Sequence, residues 1–335
     1  MSTIYDIAKR AGVSPATVSR ALNNQKLVKE ETRQRISKIA QEMNYSPNYL
    51  ARSLVKKQSN TIALIISDIT NPFFTTIARG VEDTASRKGF NTIFCNTDEN
   101  LEKERQYIDL MLRRRVDGMI IASCGQGNTL EEIRNRNFPL VLVDRTIEGY
   151  FSDSVVGDSE EGAYLLTKHL IEVHHHQKIA AISGPQIIST SRDRVAGYLR
   201  ALREFQLEVN PGWIIVGEYK EDFGYQITAN FLRHSDGKPT AIFAGNNFIA
   251  IGILRAAQEL GIRIPEDLSL VSFDDLEMAS LVYPFFTVAK QPAYTMGSMA
   301  TDFLLQEING EKVKEKKMVV LKPEIIIRKS CGCVV

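Results

Sequence analysis

Two rhythms of apolar positions divide this chain. Between residues 3 and 45 they recur at helical spacing. Ile7, Ala8 and Ala11 form one face, Val18, Ala21 and Leu22 a second, and Ile36, Ile39, Ala40 and Met43 a third. From Thr61 onward, apolar runs of strand length alternate with helical periods. TIALIISDI, NTIFCNT, DGMIIAS and PLVLVDR form one set, with helices starting near Phe73, Leu101 and Thr129 between them. KIAAISGP, WIIVGEY, TAIFAGN and DLSLVSFDD form the next, with helices starting near Glu160, Ser191, Gly224 and Phe248. The run FTVAK precedes Gln291, and EIIIRKS is the last strand. Such alternation predicts parallel sheets joined by right-handed crossovers. Two successive sets predict two similar lobes. The expected fold is therefore α/β, with an all-α head followed by a two-lobed body.

The head contains a recognisable turn. Gly12 allows the positive φ needed to leave a helix, Ser14 suits an N-cap and Pro15 suits the first helical position. Two short helices around a tight glycine turn predict a helix-turn-helix, whose second helix enters the DNA major groove. Thr17, Ser19 and Arg20 are left on its outer face. Charge points the same way. Residues 1–60 hold 11 Lys and Arg against 4 Asp and Glu, a net of +7, while the remaining 275 residues hold 30 against 36, or −6. A basic head on a mildly acidic body selects a polyanion as the head's partner.

Ser46-Pro47 begins a second capped segment that runs to Leu54 and is followed by Lys56, Lys57, Gln58 and Ser59. A helix of about two turns is marginal in water, so this segment is expected to need a partner to fold. The predicted domains are a DNA-binding head over 1–45, a hinge and linker over 46–60, and a body over 61–335. The first lobe is expected over about 61–160 and 292–322, and the second over about 161–290 and 323–330.

Ligands of open parallel sheets bind beyond the carboxyl ends of the strands. The side chains there are Asn71, Phe73, Phe74, Asp144, Arg145, Arg194, Tyr219, Asn246, Asp274 and Gln291. Planar polar groups of this kind pair with adjacent hydroxyls, and aromatic faces cover C–H surfaces, as a sugar requires.

Other chemistry is not indicated. No apolar run approaches the ~18 residues needed to span a bilayer. The N-terminus shows no basic-then-apolar leader, so a cytoplasmic location is expected. There is no Walker A loop, no G-x-G-x-x-G after a strand and no G-x-S-x-G elbow, so no catalytic residues and no cofactor are assigned. Cys95 and Cys124 lie in apolar runs. Cys331 and Cys333 flank Gly332, but no second ligand pair is evident in the sequence. His174, His175 and His176 suit a helix C-terminus, and no metal site is expected.

The stretch Thr3–Asn23, TIYDIAKRAGVSPATVSRALN, resembles the N-terminal signature of the lactose-repressor (LacI/GalR) family. The body resembles the ribose-binding type of periplasmic sugar-binding protein, whose pocket pattern the ten strand-end residues match. The resemblance implies a transcription regulator, expected to be a repressor, that binds a palindromic operator in double-stranded DNA as a homodimer and answers to a small sugar-type effector. It places Thr3, Tyr5, Ser14, Thr17, Ser19, Asn23 and Tyr45 at the DNA, with Pro15 and Ala16 at positions that vary with operator sequence. Arg20 is expected to be the main base reader, since its guanidinium can pair bidentately with guanine. Leu54 matches a leucine that wedges between central base pairs in the minor groove. One departure stands out: Asn246-Asn247 replaces the family's usual Asn-Asp, which bears on lobe closure and ligand choice. The alternatives are control by a purine, control by a protein coregulator, and a sugar-acting α/β enzyme. The stretch 296–308 lacks the Lys or Arg that a phosphorylated coregulator would need.

Overall fold

The computed structural model describes residues 3–22, 27–45, 58–125, 130–234, 238–276, 286–311 and 316–334. The chain separates into two compact units, Met1–Ser59 and Asn60–Val335. In the first, helices Ile4–Ala11, Pro15–Leu22 and Glu30–Glu42 close around Ile7, Ala11, Val18, Ala21, Ile36 and Ala40. Thr3 caps the first helix: its hydroxyl accepts from the Asp6 amide, and the Asp6 carboxylate accepts from the Thr3 amide at 2.8 Å. Gly12, at φ 66°, ends that helix in the left-handed conformation that favours glycine. The Ser14 hydroxyl then accepts from the Thr17 amide at 3.2 Å, and Pro15 opens the second helix. Asn23, Leu54 and residues 46–57 of the hinge and linker expected over 46–60 lie outside the described residues.

The second unit contains two six-stranded sheets with the same plan. The strands are β1 Thr61–Ile66, β2 Asn91–Asn96, β3 Gly118–Ile121, β4 Leu140–Val143, β5 Asp153–Gly157, β6 Ile179–Ser183, β7 Ile214–Val216, β8 Ala241–Ala244, β9 Ser269–Phe273, β10 Thr287–Lys290, β11 Met318–Leu321 and β12 Glu324–Ile326. The first sheet runs β11-β5-β4-β3-β1-β2 and the second β12-β10-β9-β8-β6-β7. Each strand of the first therefore has a counterpart in the second. The central strands are buried on both faces, which is why they appear in the sequence as unbroken apolar runs.

The helices between them begin within three residues of the expected positions: Pro72–Arg87, Leu101–Arg114, Glu131–Asn135, Ser159–Glu172, Ser189–Glu204, Glu221–His234 and Asn247–Glu259. Helix Ala293–Ile308 packs on the first sheet and on Pro72–Arg87. The sequence reading missed β5 and β11. It also expected only parallel pairing, whereas β12 runs antiparallel to β10. Only Lys322 and Pro323 separate β11, in the first sheet, from β12, in the second, so the chain passes directly from one sheet to the other there.

Candidate functional site

The carboxyl ends of β1, β4, β6, β8 and β9 face one another across a cleft of about 560 Å³, counting the solvent at its mouth. Nine of the ten strand-end residues line it: Asn71, Phe73, Phe74, Asp144, Arg145, Arg194, Tyr219, Asn246 and Asp274. Gln291 lies in the adjoining groove and donates to the Asp274 carboxylate at 2.7 Å.

Matching turns hold the two aspartates. Asp144 follows β4 at φ 67° and Asp274 follows β9 at φ 62°. Their amides donate to carbonyls of the neighbouring strand, Val155 at 2.9 Å and Ala289 at 3.0 Å. A non-glycine residue with positive φ is uncommon, and these two are kept there by strand pairing on either side. Asn71 and Asn246 serve as N-caps, accepting from the Phe73 amide at 3.0 Å and the Ile249 amide at 2.9 Å. The Tyr219 ring packs where Gly184 leaves room, since a Cβ there would come within 2.4 Å of it.

The charges are arranged in two clusters. Arg145 makes a bidentate pair with Glu99, at 2.7 and 2.6 Å, and donates to the Ser123 carbonyl at 3.1 Å. Arg194 donates to the Gly245 carbonyl at 2.7 Å, approaches Asp274 at 3.6 Å and stacks 3.9 Å from the Phe273 ring centroid. Burial pushes the Asp144 carboxyl up to about 6, against the pull of the two guanidiniums. Burial raises Asp274 as well, opposed by Arg194 and by the Gln291 hydrogen bond. Burial works against the Arg145 cation too, but Glu99, by charge and hydrogen bonding, and Asp144 hold its proton more firmly than usual.

Several buried polar atoms find no partner at hydrogen-bonding geometry among the described residues: Asp144 Oδ1, Arg145 Nε, Arg194 Nε, Tyr219 Oη and Gln291 Oε1. Leaving such an atom unsatisfied costs about 1–3 kcal/mol, so a cleft that gathers them is built for a polar guest. The sequence reading missed Asp68, Asp98, Glu99, Thr190 and Lys220, which also line the cleft.

In the head, Thr3, Tyr5, Ser14, Ala16 and Arg20 are exposed, and Pro15, Thr17, Ser19 and Tyr45 half-buried. Thr17 and Ser14 share a hydroxyl hydrogen bond of 2.9 Å. Tyr45 packs against the head's own core.

The comparisons with known proteins agree with both regions. The family model for bacterial regulatory proteins of the lacI family matches residues 3–48, and that for periplasmic binding proteins and the sugar-binding domain of the LacI family matches 59–328. The chain belongs to the LacI family. An HTH-type transcriptional repressor PurR from Vibrio atlanticus (strain LGP32) is 37% identical over 330 residues, which is 98% of each chain. The lac repressor dimer bound to operator and the anti-inducer ONPF is 30% identical, with a TM-score of 0.87 over 98% of this chain and 99% of that one. A LacI-family regulator from Enterococcus faecium, solved with bound ribose, is 32% identical, with a TM-score of 0.72 over 81% of this chain and 98% of that one.

This LacI-family chain is thus a DNA-binding transcription regulator with an effector-binding body, and not an enzyme. Among its described residues, no helix is long and apolar enough to cross a membrane. The family departure at Asn247 acquires a partner. The Asn71 and Asn247 side-chain amides exchange two hydrogen bonds across the cleft, at 3.1 and 3.0 Å. The fold also brings His169 and His174 beside Cys331 and Cys333. Sequence spacing hid this: more than 150 residues separate the pairs.

Proposed function

We propose that the chain is a repressor whose cleft takes a neutral, polyhydroxylated sugar, and that occupancy of the cleft governs whether a homodimer holds a two-fold operator. The unpartnered buried atoms of Asp144, Arg145, Arg194 and Tyr219 carry this reading. They come from both lobes, mix donors with acceptors, and sit beside the Phe73 and Phe74 rings. Vicinal hydroxyls satisfy such a set while the rings cover the sugar's C–H face.

Charge narrows the ligand further. Among the described residues, five carboxylates line the cleft (Asp68, Asp98, Glu99, Asp144 and Asp274) against three cations (Arg145, Arg194 and Lys220). An excess of two acids disfavours a phosphorylated sugar. In the head, Arg20 is the proposed reader of guanine, with Tyr5, Ala16 and the outer face of Pro15–Leu22 toward DNA. Two heads related by a two-fold axis require inverted half-sites.

A thermal-shift screen of the full chain tests the ligand class, against pentoses, hexoses, their phosphates and purines. A true ligand at 100 times its Kd adds about 2.7 kcal/mol of stability. A neutral pentose or hexose is expected to raise the midpoint, and its phosphate to raise it less. A response to purines alone would overturn the sugar reading. Operator binding to an inverted-repeat duplex, measured with and without the hit, then reports the sign of control.

A further inference from the structure

At the other end of the second lobe lies a group of side chains that neither the DNA nor the effector reading uses. His169 is in the last turn of helix Ser159–Glu172, and His174 follows two residues past its end. Cys331 closes the short 3-10 helix Lys329–Cys331, and Gly332, at φ 104°, turns the chain into Cys333. The His169 Nε2 lies 3.3 Å from Cys331 Sγ and 3.6 Å from Cys333 Sγ, and the His174 Nε2 lies 3.2 Å from Cys333 Sγ. The four ligand atoms all fall within 4.8 Å of one another.

We propose that His169, His174, Cys331 and Cys333 form a tetrahedral site for a zinc-class divalent ion. Bond lengths decide the geometry. With metal–sulfur bonds of about 2.3 Å and metal–nitrogen bonds of about 2.05 Å, a tetrahedron has N···S edges of about 3.6 Å. Three N···S separations, 3.3, 3.6 and 3.2 Å, lie at or just below that value, and the other pairs lie within 4.8 Å, so closure needs movements of about an ångström at most in the widest of them. Two thiolates and two imidazoles are the donor set that selects zinc over magnesium or calcium. Two thiolates also neutralise a divalent ion, which suits the full burial of Cys331. The spacing His169-x₄-His174 falls within the usual range for a histidine pair.

The surroundings fix both halves of the site beforehand. Ser330 Oγ donates to the Leu270 carbonyl at 2.6 Å and accepts from the Thr287 amide at 2.8 Å, which places the cysteines. The Thr287 hydroxyl lies 3.1 Å from Cys331 Sγ, the position of an outer-shell donor to a thiolate. In the protonated form the same thiol reaches the Arg328 carbonyl at 3.2 Å. His176 is otherwise engaged, its two ring nitrogens meeting Thr240 Oγ1 at 2.8 Å and Ser269 Oγ at 2.9 Å. Thr287 and Ser269 are the first residues of β10 and β9, so the site sits at the amino ends of strands whose carboxyl ends face the cleft. An ion there pins the C-terminal segment to the helix that opens the second lobe. Its role is structural and separate from the effector.

The test is metal uptake by the full chain. Protein purified under reducing conditions is stripped with a chelator and titrated with cobalt(II), then with zinc. One equivalent of cobalt is expected, with a thiolate-to-cobalt charge-transfer band and the intense ligand-field absorption of a tetrahedral ion; zinc should displace it and raise the thermal midpoint. Cys333→Ser and His174→Gln should each weaken uptake by more than about tenfold, since even outer-shell partners are worth that much. Cys95→Ser, whose thiol lies in β2 of the other lobe, should bind like the parent. Cobalt bound without a charge-transfer band, uptake unaffected by both ligand variants, or no uptake by fully reduced protein would each overturn the proposal. Sugar binding should be the same with and without zinc, so failure of the metal site leaves the effector reading standing.

Discussion

The two lobes repeat one strand plan, yet they bring different chemistry to the cleft. In each, an aspartate follows the fourth strand of the plan in a left-handed turn, tied to the strand beside it. In the first lobe, Asp144 is followed by Arg145, whose guanidinium is held in a bidentate pair with Glu99. In the second, Asp274 is held by Gln291, and its cation comes from elsewhere, from Arg194 on helix Ser189–Glu204. The backbone thus supplies equivalent positions, and the side chains divide the work. Arg145 is largely committed to protein partners. Arg194 has one short carbonyl bond and only a longer approach to Asp274, so it is the cation more available to a ligand.

Truncating each cation's support is the strongest way to test this contrast. Arg194→Ala removes a buried, hydrogen-bonded charge and leaves Asp274 without its cation, a change that costs about 2–5 kcal/mol in comparable sites. At 1.4 kcal/mol per tenfold, sugar affinity is expected to fall by about 100-fold or more, while operator affinity at fixed salt is retained. Calorimetry for the sugar and anisotropy for the duplex measure the two. A variant that answers to sugar at the parental concentration would remove Arg194 from the site. Glu99→Gln attacks the first lobe instead. It loosens Arg145 without deleting it, so a smaller loss is expected, about tenfold in affinity, together with about 1–3 kcal/mol of stability from the broken, partly buried pair. If the Glu99 variant proved worse than the Arg194 variant, the division of labour between the lobes would be the reverse of the one described.

The aspartates differ in a way that pH exposes. In the folded chain the Asp144 carboxyl titrates at about 6 because burial disfavours its charge, whereas its ordinary value is 3.8. The folded state therefore keeps a proton that the unfolded chain releases. This contribution favours folding below 3.8 and is lost as pH rises through about 6. Ligand binding should run the other way. A sugar hydroxyl donating to Asp144 Oδ1 stabilises the carboxylate, so affinity is expected to fall several-fold as pH drops from 7 to 5, about half a log unit to one. Asp144→Asn should flatten that slope. Affinity that rises on acidification would show that the protonated acid, as a donor, is the binding form.

Part of this contrast was visible in the sequence and part was not. The strands that bear the cleft residues are buried on both faces, so TIALIIS, PLVLV and TAIFA stand out as unbroken apolar runs, and the polar residue just past each marks a binding position. β5 escaped because DSVVG holds only two large apolar residues among Asp, Ser and Gly, and β11 because it lies at a sheet edge with alternate residues exposed. Glu99 escaped for a different reason. It sits in the turn after β2, 46 positions from Arg145, and nothing in local spacing marks an acid whose partner arrives on another strand. The His169–His174 pair was hidden in the same way from a C-x-C motif at the far end of the chain. Spacing reveals what one element presents and cannot show what two distant elements bring together.

Asn247 gives the smallest and most specific test of how the lobes meet. The sequence marks it only as a lost carboxylate. In the structure it is half of a reciprocal amide pair, with Asn71 at the start of one lobe's first helix and Asn247 opening a helix of the other. An amide both donates and accepts, so each side chain satisfies the other without charge. Asn247→Ala leaves the Asn71 Nδ2 donor with no cross-cleft acceptor, a loss of about 1 kcal/mol of lobe closure, or about fivefold in sugar affinity. Asn71→Ala alone is expected to cost more, because Asn71 also caps helix Pro72–Arg87 through the Phe73 amide. The double variant separates the two contributions. A coupling of about 1 kcal/mol between the positions is expected from a shared pair of hydrogen bonds. Strictly additive effects would mean that the amides touch without holding the lobes together, and that closure rests on the ligand and the charged residues around it.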